Sequence, residues 1–245
     1  MSQNNFDQTR PITPPDADIR LLPEPQALLF DLDGTLVDTV SVRVESWRRA
    51  FTRVGLDLPP EQLGEFMGSD GRWLAGEVAR RHGLELSWDQ RDALDRASGD
   101  IFSELNTMPR PLPAASELLT ALGRTRKLTF AIATASQPGQ VQASVDALRL
   151  PSPPRITDAS HVEHAKPEPD LLLESARQVG VAPARCWYVG DSKWDMMAGK
   201  AAGMTGVAVT TGATPAEALR AAGATIALPN LVPLLDELRR RGLIG

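Results

Sequence analysis

Two aspartates, Asp31 and Asp33, stand one residue apart where the apolar start of LLFDLDGTLVDT, Leu28 to Thr39, gives way to polar chain. In an extended segment the side chains at i and i+2 share a face, so both carboxylates can reach one reacting group. Gly34 lets the chain turn sharply behind them. A polar stop that opens a turn is the plainer account of an aspartate after a strand. The rest of the chain has to decide between the two.

Two other apolar runs end in the same way, and a loop adds a lysine. LTFAIAT (128 to 134) finishes on Thr134, CWYVGD (186 to 191) finishes on Asp191 with Asp195 close behind, and Lys166 lies in the loop HAKPEPD just before a helical pattern. Each has a plain explanation, Thr134 or Asp191 as a helix cap and Lys166 as a solvated loop charge. Together they suit phosphoryl transfer with magnesium. Mg²⁺ takes a small octahedral set of hard oxygens, and Asp31 with Asp191 can supply its carboxylates. A lysine and a hydroxyl can hold the remaining phosphoryl oxygens, while a carboxylate nucleophile can form an aspartyl-phosphate that water cleaves.

The elements that must position these groups alternate. The runs beginning at Gln26, Leu128, Cys186 and Met204 are too short for helices and read as buried strands. Helical stretches follow at 137 to 148, 170 to 179, 194 to 202 and 215 to 222. Strand alternating with helix predicts an α/β fold, a parallel sheet covered by helices on both faces, in which ligands bind beyond the carboxyl ends of the strands. Residues 40 to 111 break the alternation with helical patterns only, stopped at Gly55 and Gly83 and closed by the proline-rich MPRPLP. The chain thus divides into a polar, proline-rich tail at 1 to 24 expected to be flexible, a core at 25 to 39 and 112 to 245, and a helical insertion at 40 to 111.

Bulk properties narrow the class. A chain of 245 residues with formal net charge −5 can bury a full core and carries no long block of like charge, which argues against a nucleic-acid surface or a basic membrane-binding face. The single cysteine, Cys186, excludes an intramolecular disulfide. No run approaches the roughly 20 apolar residues of a membrane span, and the start lacks the pattern of a signal peptide, so the cytoplasm is the default location.

With DLDGTLVDT, FAIATAS, HAKPEPD and VGDSKWD in this order, the sequence resembles the haloacid dehalogenase-like superfamily, and within it the phosphatases. The resemblance implies a Rossmann-like core with a helical cap inserted after the first strand, and a hydrolase of small phosphorylated metabolites that uses Mg²⁺. It implies Asp31 as nucleophile and Asp33 as general acid and then base. It implies metal ligation by Asp31, the backbone carbonyl of Asp33 and Asp191. Thr134 and Lys166 would bind the phosphoryl group, and Asp195 would support the metal shell or orient Lys166. An unperturbed Asp is a poor acid at neutral pH, so Asp33 must be tuned by its site, whereas Asp31 should stay ionised beside a cation.

The same comparison sorts the rivals. The dehalogenases of the superfamily lack the second aspartate, and its phosphonate-cleaving members use a cap lysine, which residues 40 to 111 do not contain. Mutases of the β-phosphoglucomutase type carry a histidine where this chain has Arg43. A binding protein that had lost the reaction would be expected to have lost one of Asp31, Asp33, Lys166 or Asp191. The turn MGSDGR, Met67 to Arg72, is where a cap loop could approach the ester, so Arg72 and Arg43 are candidates to grip an anionic part of the substrate. Phosphoglycolate would suit such arginines, and a sugar phosphate or a nucleotide fits nearly as well. His161 and His164 lack a third ligand for zinc, and the five tryptophans are expected to pack cores.

Overall fold

A computed structural model describes residues 18–245. Six strands form one parallel sheet: β1 (Ala27–Phe30), β2 (Thr129–Ala133), β3 (Ile156–Thr157), β4 (Cys186–Gly190), β5 (Thr205–Val209) and β6 (Ile226–Leu228), in the spatial order β3-β2-β1-β4-β5-β6. The four strands expected from the apolar runs are present, and two short edge strands, β3 and β6, join them. Every residue of β1 and β4 is buried, as a central parallel strand covered on both faces requires.

The alternation along β1 feeds two apolar clusters. Leu28 and Phe30 pack on one face, where α4 (Ala115–Arg124) and α9 (Val232–Arg240) place Leu118, Leu122, Leu234 and Leu238. Ala27 and Leu29 pack on the other, with Leu171, Leu172 and Ala176 from α6 (Asp170–Val179) and Ala198 from α7 (Lys193–Ala201). Helix α5 (Pro138–Ala147) follows β2, and α8 (Ala216–Ala222) follows β5. Helices α4 and α9 are additional to the helical stretches expected at 137 to 148, 170 to 179, 194 to 202 and 215 to 222.

Between β1 and α4 the chain leaves the sheet through α1 (Val40–Thr52), α2 (Gly71–Arg81) and α3 (Trp88–Leu105). These helices build their own apolar cluster from Trp47, Phe51, Phe66, Leu74 and Leu94. Trp194 of α7 enters the same cluster, its indole donating to the Glu65 carbonyl at 3.0 Å and meeting the Trp73 ring edge-on at 4.8 Å. Gly55 and Gly83 stop α1 and α2 with positive φ, as expected.

Two expectations need correction. The sequence predicts a flexible N-terminal tail to residue 24. Residues 1 to 17 lie outside the described residues, but beyond them Leu22 is buried and the Pro23 carbonyl accepts the Trp187 indole N–H at 3.0 Å. Not all tryptophans pack cores either. Trp47, Trp187 and Trp194 do, whereas Trp88 is 62% exposed and Trp73 39%. No described helix is long and apolar enough to cross a membrane.

Candidate active site

Parallel pairing without offset brings the strand ends level. Phe30 stands beside Ile132 of β2 and Val189 of β4, so Asp31, Thr134 and Asp191 emerge along one edge of the sheet. Asp31 is tied there by its own N–H, which donates to the Val189 carbonyl at 2.9 Å. Its Oδ1 accepts from Lys166 Nζ at 2.6 Å, and the same ammonium reaches Asp195 Oδ1 at 2.7 Å. Lys166 is wholly buried. Burial works against its charge, but Asp195 and Asp31 outweigh it and hold the pKa above the usual lysine value.

Asp195 is fixed from several sides. The Tyr188 hydroxyl donates to its Oδ1 at 2.8 Å, while the N–H and hydroxyl of Ser192 donate to its Oδ2 at 2.9 and 2.6 Å. The Ser192 contacts form a capping box that starts α7. Helix capping and lysine placement are therefore performed by the same carboxylate.

Asp191 completes the acidic group. Its Oδ1 accepts from the Thr35 hydroxyl at 2.8 Å, and its Oδ2 lies where a Cβ on Gly34 would come within 2.4 Å. Gly34 has φ +82°, so both backbone conformation and space demand glycine. Oxygens of Asp31, Asp191 and Asp195 lie within 4.8 Å of one another. Burial pushes the Asp31 carboxyl up to about 7, opposed by Lys166 and reinforced by Asp195. Burial first, and then the charges of Asp195 and Asp31, push Asp191 well above the ordinary carboxylate range. Three desolvated carboxylates share one ammonium. This excess of hard anionic oxygen fits a divalent cation, which would relieve the repulsion.

Asp33 has different company. Its Oδ1 accepts from the Thr39 hydroxyl at 2.6 Å, and its Oδ2 from the Ser136 hydroxyl at 2.7 Å and from Arg43 Nη2 and Nε at 2.8 and 3.2 Å. Burial alone would raise its pKa, but Arg43 and the two hydroxyls hold it below the usual value. Arg43 also donates to Gln140 at 2.6 Å and lies 3.4 Å over the Phe102 ring. Two carboxylates from one turn are thus held in opposite electrostatic environments.

The helical insertion roofs this edge. The Asp70 N–H donates to the Lys166 carbonyl at 2.9 Å, joining the 67–72 turn to the core. Between roof and sheet lies a small cavity of about 60 Å³ whose lining includes Asp31, Asp33, Thr134, Lys166 and Arg43. Asp191 and Asp195 stand behind this cavity in the acidic group with Asp31, and Gly34 packs against Asp191. Arg72 does not line the cavity. Its guanidinium lies 5.2 Å from the Trp88 ring and 3.6 Å from Asp70, beside a separate pocket, because α2 turns it away from the cavity. Arg43 does reach the cavity, but its hydrogen bonds go to Asp33, Ser136 and Gln140.

The sequence reading missed the groups that hold the chemistry in place. Thr35, Thr39 and Ser136 lie inside the motifs DLDGTLVDT and FAIATAS, and their hydroxyls were the available signal. Tyr188 was hidden in an apolar strand run. His161 makes local contacts with Asp158, consistent with a loop role.

Comparison with known proteins gives a coherent setting. The family model described as haloacid dehalogenase-like hydrolase matches residues 28–209. The chain is 28% identical over 183 residues to the fructose-1-phosphate phosphatase YqaB of Escherichia coli, covering 74% of this chain and 95% of that protein. It is 27% identical over 223 residues to phosphoglycolate phosphatase 1 of Pseudomonas aeruginosa, covering 86% and 79% respectively. The crystal structure of a hydrolase from Pseudomonas syringae superposes with TM-score 0.79 at 29% identity, over 87% of this chain and 99% of that one.

Proposed function

The chain belongs to the haloacid dehalogenase-like hydrolases, and on that footing we propose that this phosphoric monoester hydrolase cleaves small phosphate monoesters with Mg²⁺ through an aspartyl-phosphate on Asp31. The observation that carries the reading is the division of labour at one strand end. Asp31 and Asp33 border the same cavity, yet Asp31 is tied to Lys166 and Asp33 to Thr39, Ser136 and Arg43. Burial raises the Asp31 pKa and, against burial, Arg43 holds that of Asp33 down, the reverse of what a nucleophile and an acid need. The roles proposed therefore require a cation that would keep Asp31 ionised and a substrate that weakens the hold of Arg43 on Asp33.

In this mechanism an Asp31 oxygen attacks phosphorus and the ester oxygen departs. Asp33 protonates that oxygen, and then, as a carboxylate, takes a proton from the water that cleaves the acyl phosphate. Lys166 neutralises the phosphoryl oxygens, and the Thr134 hydroxyl donates to them. Asp195 keeps Lys166 oriented through the 2.7 Å bond, its other lone pairs being occupied by Tyr188 and Ser192. Asp31, the Asp33 carbonyl and Asp191 would hold the cation, which when bound spreads the phosphoryl charge. The roofing helices exclude water from the reacting atoms.

A phosphosugar mutase would need to hold a second phosphate. The cations bordering the cavity, Arg43 and Lys166, are both paired within the protein, which favours the hydrolase. The test is phosphate release from a panel of monoesters, including p-nitrophenyl phosphate, with Mg²⁺ and with chelator. Release that needs Mg²⁺ and leaves no isomerised sugar phosphate is expected. Absence of release from every ester, or interconversion of sugar phosphates in its place, overturns the proposal.

A further inference from the structure

One wall of the cavity is not used by the chemistry above. Asp95 of α3 borders the same space as Asp31, Asp33, Thr134 and Lys166. Among the described residues, none donates a hydrogen bond or makes an ion pair to its carboxylate; Arg43 and Arg72 act on it only at longer range. The roof makes room for it. A Cβ on Gly71 would come within 1.9 Å of Asp95 Oδ1, so a side chain at the start of α2 would displace this carboxylate.

The charges around it limit what can enter. Arg43 is engaged by Asp33, Gln140 and Ser136, and Lys166 by Asp31 and Asp195. Arg72, the other arginine of the roof loop considered for substrate binding, faces Trp88 and Asp70 outside the cavity. A leaving group carrying a carboxylate would therefore meet Asp95 and Asp33 with no unpaired cation to receive it. A leaving group carrying hydroxyls would donate to Asp95 and supply the partners it lacks. A half-buried acceptor without a protein donor favours ligands that bring one over ligands that do not.

We propose that Asp95 is a specificity-determining residue that selects neutral, hydroxyl-bearing leaving groups, those of polyol or sugar phosphates, and rejects carboxylated esters such as phosphoglycolate. This deepens the reading of the site as a phosphate monoester hydrolase and rests on it. The discrimination should be on the order of ten- to a hundred-fold in kcat/KM, the range of one charge-assisted hydrogen bond gained or lost.

The experiment compares kcat/KM for sorbitol 6-phosphate, glycerol 3-phosphate and phosphoglycolate in the wild type, Asp95→Asn and Asp95→Ala, all with Mg²⁺. The wild type should favour at least one hydroxylated ester over phosphoglycolate by about ten-fold or more. Asp95→Ala should collapse that ratio through a raised KM for the hydroxylated ester. Asp95→Asn, isosteric and uncharged, should retain most of the hydroxylated activity while phosphoglycolate improves. A purely structural role would move all three substrates together, and that result, or a wild type that prefers phosphoglycolate, overturns the proposal while leaving the hydrolase reading standing. A wild type that releases phosphate from none of these esters or from p-nitrophenyl phosphate overturns both.

Discussion

Arg43 of the helical insertion holds Asp33 of the core through two nitrogens, Nη2 at 2.8 Å and Nε at 3.2 Å, both on Oδ2. The pair crosses from roof to sheet and fixes the proposed general acid. It also explains why an arginine expected to meet substrate is not free to do so. Removing the cation makes the Asp33 carboxylate less favourable, so its pKa must rise. In Arg43→Ala the ionisation assigned to Asp33 should move to higher pH in the kcat profile, with kcat down by about ten-fold as the acid loses its fixed position. An unchanged profile would remove Arg43 from that role.

Asp31→Asn should lose turnover by roughly a thousand-fold or more, as expected for a covalent nucleophile, while keeping the circular dichroism spectrum of the wild type. Acid-quenched wild type mixed with labelled substrate should carry phosphate on the protein, and the variant should carry none.

Asp33→Asn separates acid catalysis from attack. An alkyl phosphate needs its leaving oxygen protonated, whereas p-nitrophenolate departs unaided, so the loss of kcat should be larger for the alkyl ester by about a hundred-fold, the usual worth of a general acid. Equal losses for the two esters would argue against the acid role.

Among the described residues, Lys166 is the one ammonium paired within the group of Asp31, Asp191 and Asp195. Lys166→Met leaves buried carboxylates without their counter-charge, a loss of about 3–5 kcal/mol for a broken buried pair. Urea melts in chelator should show that loss near neutral pH and a partial recovery on acidification, because protonating the carboxylates removes the repulsion. Mg²⁺ should restore part of the midpoint at neutral pH.

Asp95 carries a stability cost with a definite sign. Burial, and then the charge of Asp70, raise its pKa to about 6, against the opposing pull of Arg43 and Arg72. The folded state therefore binds the proton more tightly than the unfolded chain does, and stability falls as pH rises from the unfolded value through about 6. Asp95→Asn should be more stable than the wild type at pH 7.5 by on the order of 1–2 kcal/mol, and this advantage should shrink towards pH 4. Thermal melts at the two pH values measure it.

Read as a linear string, the chain already shows which residues stand at the strand ends. Apolar runs and the polar residue that ends each are local features, so Asp31, Asp33, Thr134 and Asp191 could be named from period and residue type. The positions of Lys166 and Asp195 followed from motif order. The helical insertion was legible because seventy residues without strand character interrupt a regular alternation. Strands β3 and β6, two and three residues long, gave no periodic signal.

The partnerships were decided only in three dimensions. That Lys166 bridges Asp31 and Asp195, that Ser136 and Arg43 converge on Asp33, and that α2 turns Arg72 outward depend on parallel register and helix orientation, which bring together residues up to 135 positions apart. Asp95 had no motif at all. Its carboxylate matters because α3 carries it over the strand ends and Gly71 leaves it room, so residue type at the strand ends selects the reaction, and packing of the roof against the sheet selects what the reaction can be offered.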